Sequence, residues 1–142
     1  MTIARLIEGR GTETVSCETG TSVREAVALF ASRRIGAVPV LENGEIVGIF
    51  SERDVVRQLA EHGPQMLDGS VGAVMTAPAI TVEPGTGVMD ALELMTRRRF
   101  RHLPVVQSGR MVGFVSIGDL VKYRIERIEA DAEAMRSYIQ SA

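Results

Sequence analysis

Residues 14–59 align with residues 79–124 at a fixed offset of 65, without a gap, and sixteen of those 46 positions are identical. The identities include Gly20, Ala26, Arg33, Arg34, Pro39, Gly44, Gly48, Ser51 and Asp54 with their partners. Other pairs, such as Val15/Ile80, Ile35/Phe100 and Ile46/Met111, are conservative. Chance does not hold a register that long, so the chain must fold as two copies of one unit. A unit of about 50 residues buries too little surface to stand alone. The two copies are therefore expected to pack on each other with pseudo-twofold symmetry.

Each copy reads as β-α-β-β-α, an α+β class. "ETVSCE" and "AITVEP" are short extended stretches. Helical spacing follows at Val23, Ala26, Val27 and Phe30, matched by Val88, Ala91, Leu92 and Met95. Ser22 with Glu25 forms a capping-box pattern at the first of these helices, and Gly87 with Asp90 a weaker version. Next come two apolar runs around Asn43-Gly44 and around Ser108-Gly109, the strongest short hairpin signal because type I′ turns need positive φ. Pro39 and Pro104 lie where a strand is expected to begin. The expected organisation is an N-terminal segment (1–13), repeat 1 (14–61), a linker with a short opening helix in "VGAVMTAP" (62–78), repeat 2 (79–124) and a C-terminal helix (125–142).

The phrase "GIFSERD" at residues 48–54 returns as "GFVSIGD" at residues 113–119. Two readings fit Ser-x-x-Asp at a strand-to-helix junction. Ser51 and Ser116 can cap helices, with Asp54 and Asp119 favouring the positive dipole end. The same corner can also serve a ligand, its hydroxyl and free amides meeting phosphate and its carboxylate accepting the two hydrogens of a ribose diol.

Composition excludes several classes. A net charge of −2 gives no general case for nucleic acid. The single Cys17 excludes an internal disulfide and a multi-cysteine metal site, and it reads as a small buried apolar residue. His62 and His102 have no partners at metal-ligand spacing. Gly9-Arg10-Gly11 starts like a dinucleotide fingerprint, but Thr14 stands where a third glycine belongs. No motif places a base beside Ser51 or Ser116. Charges at Arg5, Glu8 and Arg10 interrupt any apolar leader, and no segment holds the roughly 20 apolar residues of a membrane span. A cytoplasmic, non-enzymatic protein without required cofactor or metal is expected.

Together, the Thr-Val stretch, the apolar-Pro-Val run, the Val-Gly turn and Ser-x-x-Asp, in that order and twice over, resemble the cystathionine-β-synthase (CBS) domain. "SVGAVMTAPAITV" from Ser70 resembles the Val-Met-Thr lead-in of that family. The resemblance covers residues 5–124 and implies a stand-alone tandem pair of the bacterial type. It implies adenine-nucleotide binding, with AMP, ATP or NAD(H) as candidate ligands, in clefts between the repeats. Carried over residue by residue, Asp54 and Asp119 would hold ribose hydroxyls and Ser51 and Ser116 would meet phosphate. Gly36, Ala37, Val38 and Pro39, with Arg101, His102, Leu103 and Pro104, would line adenine pockets. Thr14 and Ser16, with Ile80 and Thr81, would each close a pocket against the other repeat's aspartate. Arg53 and Gly118 differ between the copies: one offers a cation, the other close backbone approach. The clefts are thus expected to differ in preference, one tolerating a dinucleotide such as NAD(H). The run Arg97–His102 fits either a solvated helix end or a phosphate contact.

Past the repeats, apolar residues recur at Val121, Ile125, Ile128, Ala132, Met135 and Ile139, a 4-3-4-3-4 heptad seam flanked by charges. This helix can lie on its own domain or join a homodimer, the preferred expectation. Regulation through conformational change, relayed to a separate protein, is the function expected; a dimeric scaffold that binds no ligand is the alternative.

Overall fold

The computed structural model describes residues 1–8 and 14–141. Residues 9–13, with the Gly9-Arg10-Gly11 stretch, and residue 142 lie outside the described part. The elements run α1 (Ile3–Glu8), β1 (Cys17–Glu18), α2 (Val23–Arg33), β2 (Ala37–Glu42), β3 (Glu45–Ser51) and α3 (Glu52–His62). A 3-10 turn (Pro64–Asp68) and α4 (Val71–Val74) follow, then α5 (Val88–Arg98), β4 (His102–Gln107), β5 (Arg110–Ser116) and α6 (Ile117–Ser141). The α+β class and the duplicated order are those the sequence predicts.

Equivalent residues make equivalent structure. In α2 the Ser22 hydroxyl accepts from the Glu25 amide at 3.1 Å, and Val23, Ala26 and Phe30 form the buried stripe. Gly87 leaves α5 without a side-chain cap, yet Val88, Ala91 and Met95 bury the same stripe. Both helices end on an arginine in the left-handed region, Arg34 (φ 54°) and Arg99 (φ 60°). Both hairpins turn on positive φ, at Asn43-Gly44 (54°, 82°) and Ser108-Gly109 (53°, 78°), the signs a type I′ turn requires.

The first sheet has the order β1-β2-β3, with β1 parallel to β2. In the second sheet the counterpart of β1 shrinks to one bridge, Val82 to Val105, so the extended stretch expected over "AITVEP" is not a full strand. Thr19 donates to the Leu41 carbonyl at 3.2 Å; its counterpart is Pro84, which has no N–H to donate. Pro39 and Pro104 are each the third residue of a strand rather than the first. The Pro104 carbonyl accepts from Val82, so its nitrogen also points away from β5 and costs the hairpin no bond.

The cores are crossed. One cluster joins Val23, Ala26, Phe30, Val38 and Phe50 of repeat 1 to Met66 and Val71, which follow it. The other joins Val88, Met95, Leu103, Val115 and Leu120 of repeat 2 to Ile3 and Leu6 at the N-terminus. The short helix expected to open the second unit therefore packs on the first, and α1 packs on the second. Their docking bonds correspond: Val71 donates to Thr21 and Gly72 to Thr19, whereas Ile3 donates to Thr86 and Ala4 to Pro84. Between the repeats, β3 and β5 touch.

Candidate functional site

The strand-to-helix corner at Ser51 is a complete capping box. The Ser51 hydroxyl accepts from the Asp54 amide at 3.4 Å, and the Asp54 carboxylate accepts from the Ser51 amide at 2.9 Å. Asp54 is only 2% exposed, and it does more than cap. Its Oδ1 accepts from Arg57 at 2.7 Å and from the Thr76 hydroxyl at 2.9 Å. Its Oδ2 also takes the Ser51 hydroxyl at 3.2 Å. The matching corner repeats the box: Ser116 donates to Asp119 at 2.8 Å, and the Asp119 amide donates to the Ser116 hydroxyl at 3.0 Å. Asp119 is half-buried rather than buried. The capping reading of the repeated phrase is thus realised at both junctions.

The corner also borders a cleft. A cavity of about 480 Å³ lies between the Ser51–Asp54 corner of repeat 1 and, on the other side, Pro78–Ile80 and Arg98–His102 leading into repeat 2. Gly36, Ser51, Arg53, Asp54, Ile80, Arg101 and His102, all expected site residues, line it together. Thus Ile80 and Asp54, from opposite repeats, share one cleft. Arg53 crosses to the other repeat, its Nη1 reaching the Arg99 carbonyl at 3.4 Å. Gly36 is pinned to the same corner, its carbonyl accepting from the Glu52 amide at 3.0 Å.

The other expected residues lie elsewhere. Ala37, Val38, Pro39, Leu103 and Pro104 are buried, and Val38 and Leu103 belong to the two cores. Ser116, exposed Gly118 and Asp119 form the second corner; with Thr14, Ser16 and Thr81 they do not border this cleft. Sequence reasoning did not single out Arg57 or Thr76. Arg57 sits three residues after Asp54, a helical spacing that brings side chains together, and Thr76 ends the Val-Met-Thr lead-in.

The electrostatics are one-sided. Arg53, Arg57, Arg98, Arg99 and Arg101 line the cleft against Glu52 and Asp54, five cations to two carboxylates. The helix-end alternative for the arginine run is met in part, since Arg97 and Arg98 close the last turn of α5. Arg98, Arg99 and Arg101 also face the cleft. His102 stacks on Phe114, centroids 5.5 Å apart. Burial pushes its pKa below the ordinary 6.5, with Arg101 acting the same way and Asp119 and Glu52 opposing. Cys17 is buried and its thiol is pushed up by burial and by Glu25 and Glu18, which keeps it a thiol. Among the described residues no cluster of His, Cys, Asp and Glu offers a metal site, and no helix is long and apolar enough to cross a membrane.

Two capped hairpin repeats, crossed at their lead-in helices and flanking a basic cleft, define a tandem architecture of the CBS type. The chain belongs to the CBS-domain family, whose pattern matches residues 11–61 and 71–126. It is 36% identical over 129 residues to the mitochondrial CBS domain-containing protein CBSX3 of Arabidopsis thaliana, covering 87% of this chain but 63% of that one. It is similar to the crystal structure of the CBS-domain protein ATU1752 of Agrobacterium tumefaciens: 36% identity, TM-score 0.82, covering 87% of this chain and 92% of that one. It also resembles CBSX2, solved in complex with AMP, at 25% identity and a TM-score of 0.75, covering 88% of this chain and 96% of that one.

Proposed function

We propose that this chain binds phosphorylated adenosine compounds, of the AMP, ATP or NAD(H) kind, in the cleft between Asp54 and Ile80. Occupancy would pass to a partner protein as a change in the angle between repeats, within a cytoplasmic homodimer. The observation that carries the reading is the convergence of five arginines on a cavity of about 480 Å³ beside a helix N-terminus. Such a field favours phosphate and disfavours a cationic ligand such as S-adenosylmethionine. The AMP bound by the similar CBSX2 supports the same ligand class. A ligand can shift the repeats only by preferring one arrangement, and the contact of Arg53 with the Arg99 carbonyl across the cleft is one that a bound phosphate can change. Arg57, drawn to phosphate, leaves Asp54 Oδ1 and opens that oxygen to a ribose hydroxyl. His102 and Gly36 flank the position of the base.

One observation favours a second reading, a constitutive scaffold: Asp54 already accepts from Ser51, Arg57 and Thr76. Calorimetric titration with AMP, ATP, NADH and S-adenosylmethionine separates the two. Binding of the anionic ligands but not S-adenosylmethionine, weakened about tenfold by Arg101→Ala, supports the nucleotide site. Arg57→Ala should weaken ATP yet leave unphosphorylated adenosine unharmed. Silence with all four ligands at millimolar concentration would establish the scaffold. Equal losses for AMP and NADH in both Asp54→Asn and Asp119→Asn would refute a difference between the two corners.

A further inference from the structure

From Ile125 to Ser141 every residue of α6 is exposed, a stretch of about 26 Å at 1.5 Å per residue. Its apolar positions form one stripe, with Ile125 49% and Ile139 65% exposed. In heptad terms Val121, Ile128 and Met135 take the d positions and Ile125, Ala132 and Ile139 the a positions. The flanks then follow without choice. Lys122, Glu129 and Arg136 fall at e; Arg124, Asp131 and Tyr138 fall at g.

Those flanks discriminate between orientations. In a parallel, in-register pair, each g residue faces the e residue five positions on in its partner. Arg124 then meets Glu129 and Asp131 meets Arg136, each contact occurring twice by symmetry. In an antiparallel pair with full overlap, Glu129 meets Glu129, Asp131 meets Asp131 and Lys122 meets Arg136, like charge against like at each of these layers. The internal alternative for Arg136 is weak, an exposed 3.5 Å contact with Glu133.

We infer that the exposed seam of α6 is the docking surface for a second copy of this chain, joined as a parallel, in-register two-stranded coiled coil. This rests on the homodimer included in the proposed function and specifies its orientation and contacts. Parallel α6 helices place both CBS pairs at the same end of the coil, related by a twofold axis along it.

The whole chain tests this, since the positions changed are solvent-exposed in the protomer apart from Arg124, which is half-buried. Light scattering should report a dimer that Ile128→Asp dissociates. Glu129→Arg should raise the dissociation constant about tenfold, and adding Arg124→Glu should restore it. Under mild oxidation Ile139→Cys should form a covalent dimer with itself, Cys17 being buried. A monomeric wild type overturns both the inference and the homodimer. A dimer indifferent to Ile128→Asp overturns the α6 contact while sparing the homodimer. Cross-linking of Ile139→Cys only to Val121→Cys would establish the antiparallel pair and overturn the orientation.

Discussion

Asp54 and Asp119 are copies of one ancestral residue in different surroundings, so their removal should have unequal cost. Asp54 is buried and bonded to Ser51, Arg57 and Thr76; Asp54→Ala leaves Thr76 and the Ser51 amide unsatisfied and should cost about 2–4 kcal/mol. Asp119→Ala removes a half-buried cap and should cost about 0.5–2 kcal/mol. Urea unfolding of both variants measures the difference. His102 gives the second residue-scale prediction. Its pKa is lowered in the folded state, so between 6.5 and that lower value the unfolded chain holds more protons. Stability is complete above 6.5 and declines as pH falls through that window. Melting temperatures across pH 7 to 5 should fall less steeply for His102→Gln than for the wild type. The sequence disclosed both aspartates and His102 as candidates. It did not disclose the burial of Asp54, because Thr76 reaches it from 22 residues away and no local pattern records such a bond.

Gly48 and Gly113 mark where each lead-in helix presses on a hairpin. A Cβ on Gly48 would stand 2.6 Å from the Met75 sulfur and 2.8 Å from the Thr76 carbonyl, part of the backbone. A Cβ on Gly113 would have the flexible Ile7 side chain as its nearest neighbour, at 3.0 Å. Gly48→Ala should therefore cost about 1–3 kcal/mol and Gly113→Ala less, as denaturant midpoints will tell. The elements themselves were mostly legible: repeat spacing, Asn43-Gly44 and the Ser51 cap each specify a local geometry. The equivalence of α1 and α4 was hidden. Thr2, Ile3, Leu6 and Ile7 match Ser70, Val71, Val74 and Met75 at an offset of 68, three more than the gapless register of 65. The stretch between α1 and Thr14 absorbs the difference, so a gapless comparison starting at Thr14 could not detect it. The loss of a full strand at Val82 was legible only in hindsight, through Pro84.

For the whole molecule the governing fact is that each core borrows a helix from outside its own repeat. Ile3 is fully buried in the core of repeat 2, beside residues from Val82 onward, far along the chain. Ile3→Ala should destabilise the protein by about 2–4 kcal/mol. Hydrogen exchange should show the loss in β4 and β5 at least as strongly as in α1. Pseudo-twofold packing was foreseeable from the size of one repeat, but its crossed form was not, because hydrophobic pattern says which residues are buried and not against what. Severing the backbone in the linker would leave each piece holding the stopper for the other's bottle. Neither fragment should settle into a native state unaided, yet mixing them should restore a working whole, which makes this chain a natural candidate for a split-protein reporter.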